Sequence, residues 1–190
     1  LHVAGYTDSS DFPVVRGSRL PSGSGFVAKI SLPGPGASLL YSTQIAASIS
    51  RLGVDLSGNT YIMGDASRQP DPPYSNAIPL NGWRYLAMLK YDAAQARLSY
   101  GYHTMIPGEY GSGNMFTVTA AGSVFVHSRN VLAGWPGQPY FDDTIVKISK
   151  NQADTPFVEY SVPFPRTVFD SESIRLWPSL IFDASALAAD

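Results

Sequence analysis

Short apolar segments alternate with turn residues along the whole chain. Phe26–Ile30, Tyr85–Leu89 and Thr144–Ile148 are typical, because each is long enough for a strand and too short for a helix. No longer stretch carries the 3.6-residue period of an amphipathic helix. The 17 Gly and 15 Pro residues supply frequent turns between such segments. This pattern predicts an all-β protein built from short strands.

The segments recur in a fixed order at spacings of 59 to 64 residues. One set is His2–Gly5, Tyr61–Gly64 and Phe125–Ser128; the next is Phe26–Ile30, Tyr85–Leu89 and Thr144–Ile148; a third surrounds Tyr41, Tyr100 and Tyr160; a fourth ends at Val54, Val118 and Phe182. The repeating unit therefore has four strands. The units are 1–55, 56–119 and 120–183, with a tail at 184–190, in one domain spanning 1–190.

Four antiparallel strands that repeat about every 60 residues are typical of a β-propeller blade. The spacing predicts equivalent buried positions for Ile30, Leu89 and Ile148. The chain begins on a second strand, at His2–Tyr6, and its last predicted strand, Leu180–Asp183, is an innermost one. We therefore predict a propeller segment of about three four-stranded blades that starts and ends mid-blade.

The first unit resembles the bacterial SBBP β-propeller repeat. The resemblance lies in the sequence from His2 to Pro13, in Gly25–Ile30, in Leu39–Thr43 and in Gly53–Ile62. The second unit departs from the pattern at Gly64–Pro73, and the third is more degenerate. The resemblance implies a secreted or envelope-associated bacterial protein, with an extracellular, periplasmic or cell-surface location.

Charge and composition exclude several classes of function. The 13 basic and 15 acidic residues give a formal net charge of -2 and form no basic cluster, so we expect no nucleic acid partner. No apolar run is long enough to span a membrane. The absence of Cys excludes disulfides, thiol catalysis and Cys-ligated zinc.

Candidate catalytic and metal motifs are weak. Gly23–Ala28 has the letters of a dinucleotide-binding loop but leads into a predicted strand, and a phosphate site needs a helix N-terminus there. The acidic residues at Asp8–Asp11, Asp71 and Asp142–Asp143 lack the spacing of a calcium loop. The three His residues fit strand positions. We therefore predict no catalytic residues, no metal and no cofactor.

Aromatic residues near predicted loops are the remaining binding candidates. They are Tyr74, Trp83, Trp135 and Tyr140, each close to Pro or Gly. Such rings suit stacking on sugars or contact with a protein, and they equally suit packing between blades. Asp55 and Asp183 recur before a turn, where we expect them to hydrogen-bond the turn's own backbone.

Two functions remain open. The first is a non-enzymatic structural or interaction module whose propeller is completed by the remainder of a longer chain or by a protein partner. The alternative is a carbohydrate-binding or polysaccharide-cleaving propeller, which needs carboxylates that converge from different blades. Because exposed strand edges template pairing, we expect the isolated chain to be oligomeric or prone to aggregate.

Overall fold

The computed structural model describes residues 1–17, 24–32, 36–65, 84–106, 116–131 and 141–164. These residues form strands joined by turns and contain no helix, so none of them forms a helix able to cross a membrane. The strands are β1 (His2–Thr7), β2 (Ser24–Ser31), β3 (Ser38–Ile45), β4 (Ser48–Val54), β5 (Thr60–Asp65), β6 (Arg84–Asp92), β7 (Arg97–Ile106), β8 (Phe116–Val118), β9 (Val124–Val131), β10 (Phe141–Lys150) and β11 (Pro156–Phe164). The predicted all-β class is confirmed.

The strands form three antiparallel sheets in which neighbours along the chain are neighbours in the sheet. Sheet 1 has the order β1-β2-β3, sheet 2 the order β4-β5-β6-β7, and sheet 3 the order β11-β10-β9-β8. Sheets 2 and 3 have the four predicted strands. Sheet 1 has three, and β1 corresponds to the second strand of the other sheets, as expected for a chain that begins on a second strand. The predicted strand Leu180–Asp183 lies outside the described residues.

The sequence repeat and the sheet are offset by one strand. β4 ends the first repeat unit, yet it pairs with β5 and starts sheet 2. It also lies against β1 and β2 of sheet 1 on one side and against β8 of sheet 3 on the other. β8 likewise ends the second unit, starts sheet 3 and lies against β4, so the last strands of the first two units join consecutive sheets.

The same irregularity recurs in each sheet. The pairing register shifts between Lys29 and Ile30, between Met88 and Leu89, and between Lys147 and Ile148. The partners just before the shift are Tyr41, Tyr102 and Tyr160. Tyr100, which the spacing aligned with Tyr41 and Tyr160, instead lies opposite Leu89 after the shift. The alignment was wrong at Tyr100 because the three hairpins differ in length.

Two apolar layers separate the sheets, with sheet 2 in the middle. The layer against sheet 1 includes Val27, Tyr41, Ile62, Tyr85 and Leu89. The layer against sheet 3 includes Tyr61, Met63, Tyr102, Val146 and Ile148. Leu89 and Ile148 are each 1% exposed, as predicted. Ile30 is only half-buried, because no further sheet covers its side of sheet 1 in the described residues.

Two tight turns each combine a hydrogen bond from the backbone to a side chain with a Gly at positive φ. In the turn after β4, the Asn59 backbone N–H donates to Asp55 Oδ1 at 2.9 Å, and Gly58 has a φ of 75°. In the turn after β8, the Ser123 backbone N–H donates to Thr119 Oγ1 at 3.0 Å, and Gly122 has a φ of 83°. Positive φ is accessible to Gly at little cost, which explains its recurrence at this position. The expected role of Asp55 in its turn is confirmed.

Candidate functional site

The aromatic binding candidates from the sequence lie outside the described residues. They are Tyr74, Trp83, Trp135 and Tyr140. Their role in binding a sugar or a protein stays a prediction. The histidines lie on strands, as expected: His2 on β1, His103 on β7 and His127 on β9. Polar and charged side chains that interact in the described residues lie at the contacts between sheets and on the outer face of sheet 3.

A short polar network joins sheets 1 and 2. Thr60 Oγ1 is fully buried and lies 2.6 Å from His2 Nδ1 and 2.7 Å from Tyr41 Oη. The Tyr41 hydroxyl can donate to Thr60, whose own hydroxyl then donates to a neutral His2 ring. Lys29 Nζ adds a contact to the Gly58 carbonyl at 3.4 Å. Because Thr60 is 0% exposed, its hydroxyl cannot reach a substrate, and the network holds the sheets together.

The environment of His2 disfavours its charged form. Burial lowers the pKa of His2 from 6.5 to about 4, and the positive charges of Lys29 and of the N-terminal amino group act in the same direction. The ring is therefore neutral near pH 7, as the hydrogen bond from Thr60 requires. A proton on His2 would place a third positive charge beside these two.

A second polar cluster joins sheets 2 and 3. Tyr61 Oη donates to Asp55 Oδ2 at 3.0 Å, and Asn59 Nδ2 donates to the same oxygen at 2.8 Å. Gly122 of sheet 3 packs on this pair: a Cβ atom there would lie 2.4 Å from Tyr61 Oη and 3.1 Å from Asp55 Oδ2. Burial and the Asp55 charge raise the pKa of Tyr61. The Leu56 backbone N–H also donates to the Ala120 carbonyl at 3.1 Å.

An ion pair adds a further link between sheets 2 and 3. Lys90 Nζ on β6 lies 2.7 Å from Asp154 Oδ2, in the turn between β10 and β11. Lys150 Nζ lies 2.6 Å from the other carboxylate oxygen of Asp154. The Asp154 backbone has a φ of 58°, so the turn presents the carboxylate from a conformation uncommon for a residue with a side chain.

One face of sheet 3 is turned away from sheet 2, and we call it the outward face. Its members, read from the pairing register, include Thr117, Phe125, His127, Ile145, Lys147, Ser149, Phe157, Tyr160 and Val162. Phe157, Tyr160 and Val162 are 42% to 43% exposed. Three large apolar side chains are therefore grouped on one exposed face.

A charged pair lies in the middle of the outward face. Lys147 Nζ lies 2.9 Å from Glu159 Oε1, and it also lies 5.9 Å from the Phe125 ring centre and 5.7 Å from that of Tyr160. Ser149 Oγ donates to Glu159 Oε2 at 2.5 Å. These hydrogen bonds from Ser149 and Lys147 lower the pKa of Glu159. On this face, two aromatic rings therefore lie beside a lysine whose charge is balanced by a glutamate.

These groups form contacts between sheets and an exposed face. In the described ranges, no group of three or more His, Asp or Glu residues is placed to hold a metal ion. Sequence reasoning missed Thr60, Lys90, Asp154 and the outward face. The spacing of 118 residues between Lys29 and Lys147 could have pointed to Lys147 on the outward face, since it places the two lysines at equivalent positions on sheets 1 and 3.

Comparisons with known proteins add no assignment. No protein-family model matches the chain, and no curated protein matches it significantly. The resemblance to the SBBP repeat therefore stays a prediction from the first unit's sequence.

Proposed function

We propose that this chain is a β-propeller segment that acts as a non-enzymatic structural or interaction module. The observation that carries the proposal is the repeated sheet-to-sheet contact. Each sheet has its register shift at the same place, and sheet 2 buries both faces against its neighbours. Successive sheets in contact through β4 and β8 are what a propeller requires near its axis.

The proposed setting is a larger bacterial protein or assembly at the cell surface, in the periplasm or outside the cell. This part rests on the likeness of residues 2–64 to the SBBP repeat. The partner is either the remainder of a longer chain or another protein that completes the array of sheets. The outward face of sheet 3 supports a need for such a partner, because the equivalent faces of sheets 1 and 2 are covered.

A carbohydrate-binding function is the second candidate. The observation that favours it is the group of rings on the outward face: Phe157 and Tyr160 are exposed, and Lys147 lies beside the rings of Phe125 and Tyr160. Sugars stack on aromatic rings beside polar groups. Cleavage of a polysaccharide is less well supported. Asp55 is 7% exposed and already accepts hydrogen bonds from Asn59 and Tyr61, so it is poorly placed to act on a substrate.

A glycan array and a reducing-sugar assay separate the two candidates. The structural proposal predicts no glycan bound above background and no sugar released from polysaccharide. The matched variants are Tyr160→Ala, which removes a ring from the outward face, and Tyr100→Ala, which removes an equally exposed ring from sheet 2. Glycan binding that is lost in Tyr160→Ala and kept in Tyr100→Ala would overturn the proposal in favour of the carbohydrate function.

A further inference from the structure

Arg16 has an unusual backbone conformation beside the contact of sheets 1 and 2. Its φ is 57°, a left-handed value that is unfavourable for a residue with a side chain. Both neighbours of Arg16 are fixed. Val15 exchanges two backbone hydrogen bonds with Ser42 on β3, at 3.1 Å and 2.9 Å, and a Cβ atom on Gly17 would lie 2.4 Å from Thr43 Cβ. Strained residues held in this way cluster at functional sites, so Arg16 is a candidate for one.

The Arg16 guanidinium extends from this segment to sheet 2. Its Cζ lies 6.0 Å from the centre of the Tyr91 ring on β6. One of its five N–H groups donates to the Leu40 carbonyl. Arg16 is exposed, and none of the ion pairs among the described residues involves it. The remaining N–H groups are therefore suited to bind a carboxylate of another molecule.

Three aromatic side chains continue from this cation along the side of sheet 2 that faces sheet 1. They are Tyr91, Tyr100 and His103, and we call them the aromatic strip. Tyr100 lies opposite Leu89 in the pairing register, so it is the diagonal neighbour of Tyr91. The ring of Tyr100 stacks on that of His103, with ring centres 5.1 Å apart and an interplanar angle of 30°. Leu89 and Tyr91 pack in the layer between sheets 1 and 2, which fixes the side on which the strip lies.

Tyr100 is exposed and yet held in place. It is 44% exposed, and its hydroxyl is hydrogen-bonded to that of Tyr85, which is 1% exposed. This hydrogen bond and the stacking on His103 fix the orientation of the ring. A ring that is already fixed loses little conformational entropy when a partner binds, and tyrosines are frequent at the centres of protein interfaces. The aromatic strip is therefore a preformed contact surface beside a cation.

We propose that Arg16 and the aromatic strip bind an acidic peptide segment of a partner protein. A carboxylate of the peptide pairs with the guanidinium, and an apolar side chain of the peptide packs on Tyr100. Residues 98–103 of β7 span about 17 Å at about 3.4 Å per residue, which matches roughly five residues of an extended peptide. The inference rests on the proposed function, because it names the chemistry of the partner that an interaction module binds.

A library of random heptapeptides displayed on phage, selected on the full 190-residue chain, is the probe. Selected peptides should be enriched in Asp and Glu, and selection on Arg16→Gln should lose this enrichment. One enriched peptide is then synthesised with a fluorescent label, and its Kd is measured by fluorescence polarisation. Arg16→Gln and Tyr100→Ala should each weaken binding by about tenfold or more. Replacing the acidic residues of the peptide by their amides should abolish the effect of Arg16→Gln.

The chain offers a matched control for each variant. Arg97→Gln removes an exposed arginine from β7. Leu98 packs towards sheet 1, so the preceding Arg97 points to the opposite side of the sheet. Tyr160→Ala removes a tyrosine of sheet 3 that is 43% exposed. Both controls should keep the affinity of the unmodified chain, and far-UV circular dichroism should show that every variant is folded.

Arg16→Gly separates binding from stability. Gly adopts a positive φ at little cost, so Arg16→Gly should melt at a higher temperature than Arg16→Gln, while both lose the peptide. A purely structural role of the Arg16 side chain predicts unchanged peptide affinity in both variants. A lower melting temperature for Arg16→Gly than for Arg16→Gln would contradict the strained backbone on which the inference depends.

Two outcomes of the peptide experiment would overturn the inference: selected peptides without enrichment in acidic residues, or an acidic peptide that binds a folded Arg16→Gln variant as tightly as the unmodified chain. Neither overturns the proposed function, since another surface could bind the partner. Binding of carboxylate-bearing glycans that Arg16→Gln abolishes would overturn both, because it would assign the same groups to a sugar.

Discussion

Gly122→Ala should destabilise the protein far more than Gly58→Ala. Both glycines occupy the same turn position, with φ values of 83° and 75°, so an added Cβ has a similar backbone cost of about 1 to 2 kcal/mol at each. At Gly58 the new Cβ would meet only the flexible end of Lys29, 3.3 Å away. At Gly122 it would lie 2.4 Å from Tyr61 Oη, which therefore has to move.

When the Tyr61 hydroxyl moves, its hydrogen bond to Asp55 is lost. A hydrogen bond to a charged group contributes about 1.5 to 3 kcal/mol. We therefore expect Gly122→Ala to lower the free energy of unfolding by about 2.5 to 5 kcal/mol, and Gly58→Ala by about 1 to 2 kcal/mol. The difference between them isolates the contact of sheets 2 and 3.

Equilibrium urea unfolding followed by circular dichroism measures these values, and Tyr61→Phe completes a double-mutant cycle. Removing the hydroxyl abolishes the hydrogen bond and the 2.4 Å approach to Oη, and it leaves the milder 3.1 Å approach to Asp55 Oδ2. Gly122→Ala should therefore cost about 1.5 to 3 kcal/mol less in the Tyr61→Phe background than in the unmodified protein. Equal costs for the two glycine variants, or additive effects in the cycle, would refute the contact between Gly122 and Tyr61.

Three further predictions concern buried and titrating groups. Ile148→Asp should lower the free energy of unfolding by roughly 3 kcal/mol or more, because it places an unpaired charge between sheets 2 and 3; an unchanged melting temperature would contradict its burial. His2 has a pKa of about 4 in the folded protein against 6.5 unfolded, so the unfolded state binds more protons in that range and stability should fall as the pH drops from 6.5 to about 4. His2→Gln should flatten this part of a profile of melting temperature against pH, and parallel profiles would exclude the effect. For Asp154, burial raises the pKa but hydrogen bonds from Lys150 and Lys90 outweigh it, and the net pKa is lowered. Its contribution to stability is present above about pH 3.8 and lost as the pH falls through the folded pKa, so Asp154→Asn should weaken acid destabilisation in the same profile.

The amino-acid sequence by itself determined the all-β class, the strands that the structure describes and the tight turns. Strand identity follows from short apolar segments bounded by Gly and Pro, and these signals are local. Gly58 and Gly122 were predictable for the same reason, since a turn of few residues needs positive φ at one position. Leu89 follows Ile30 by 59 residues, and Ile148 follows Leu89 by the same distance. This spacing predicted that Leu89 and Ile148 are both buried, because it places them at the same position of corresponding strands.

Only the tertiary structure decided which residues meet between sheets. The register that brings Tyr102, and not Tyr100, into line with Tyr41 depends on hairpin length, which the repeat spacing does not report. The contacts of Gly122 with Tyr61 and of Lys90 with Asp154 join residues about 60 positions apart, so no local pattern reveals them. Burial also depends on the neighbouring sheet. Ile30 and Ile148 share one repeat position, yet only Ile148 has a described sheet packed over it.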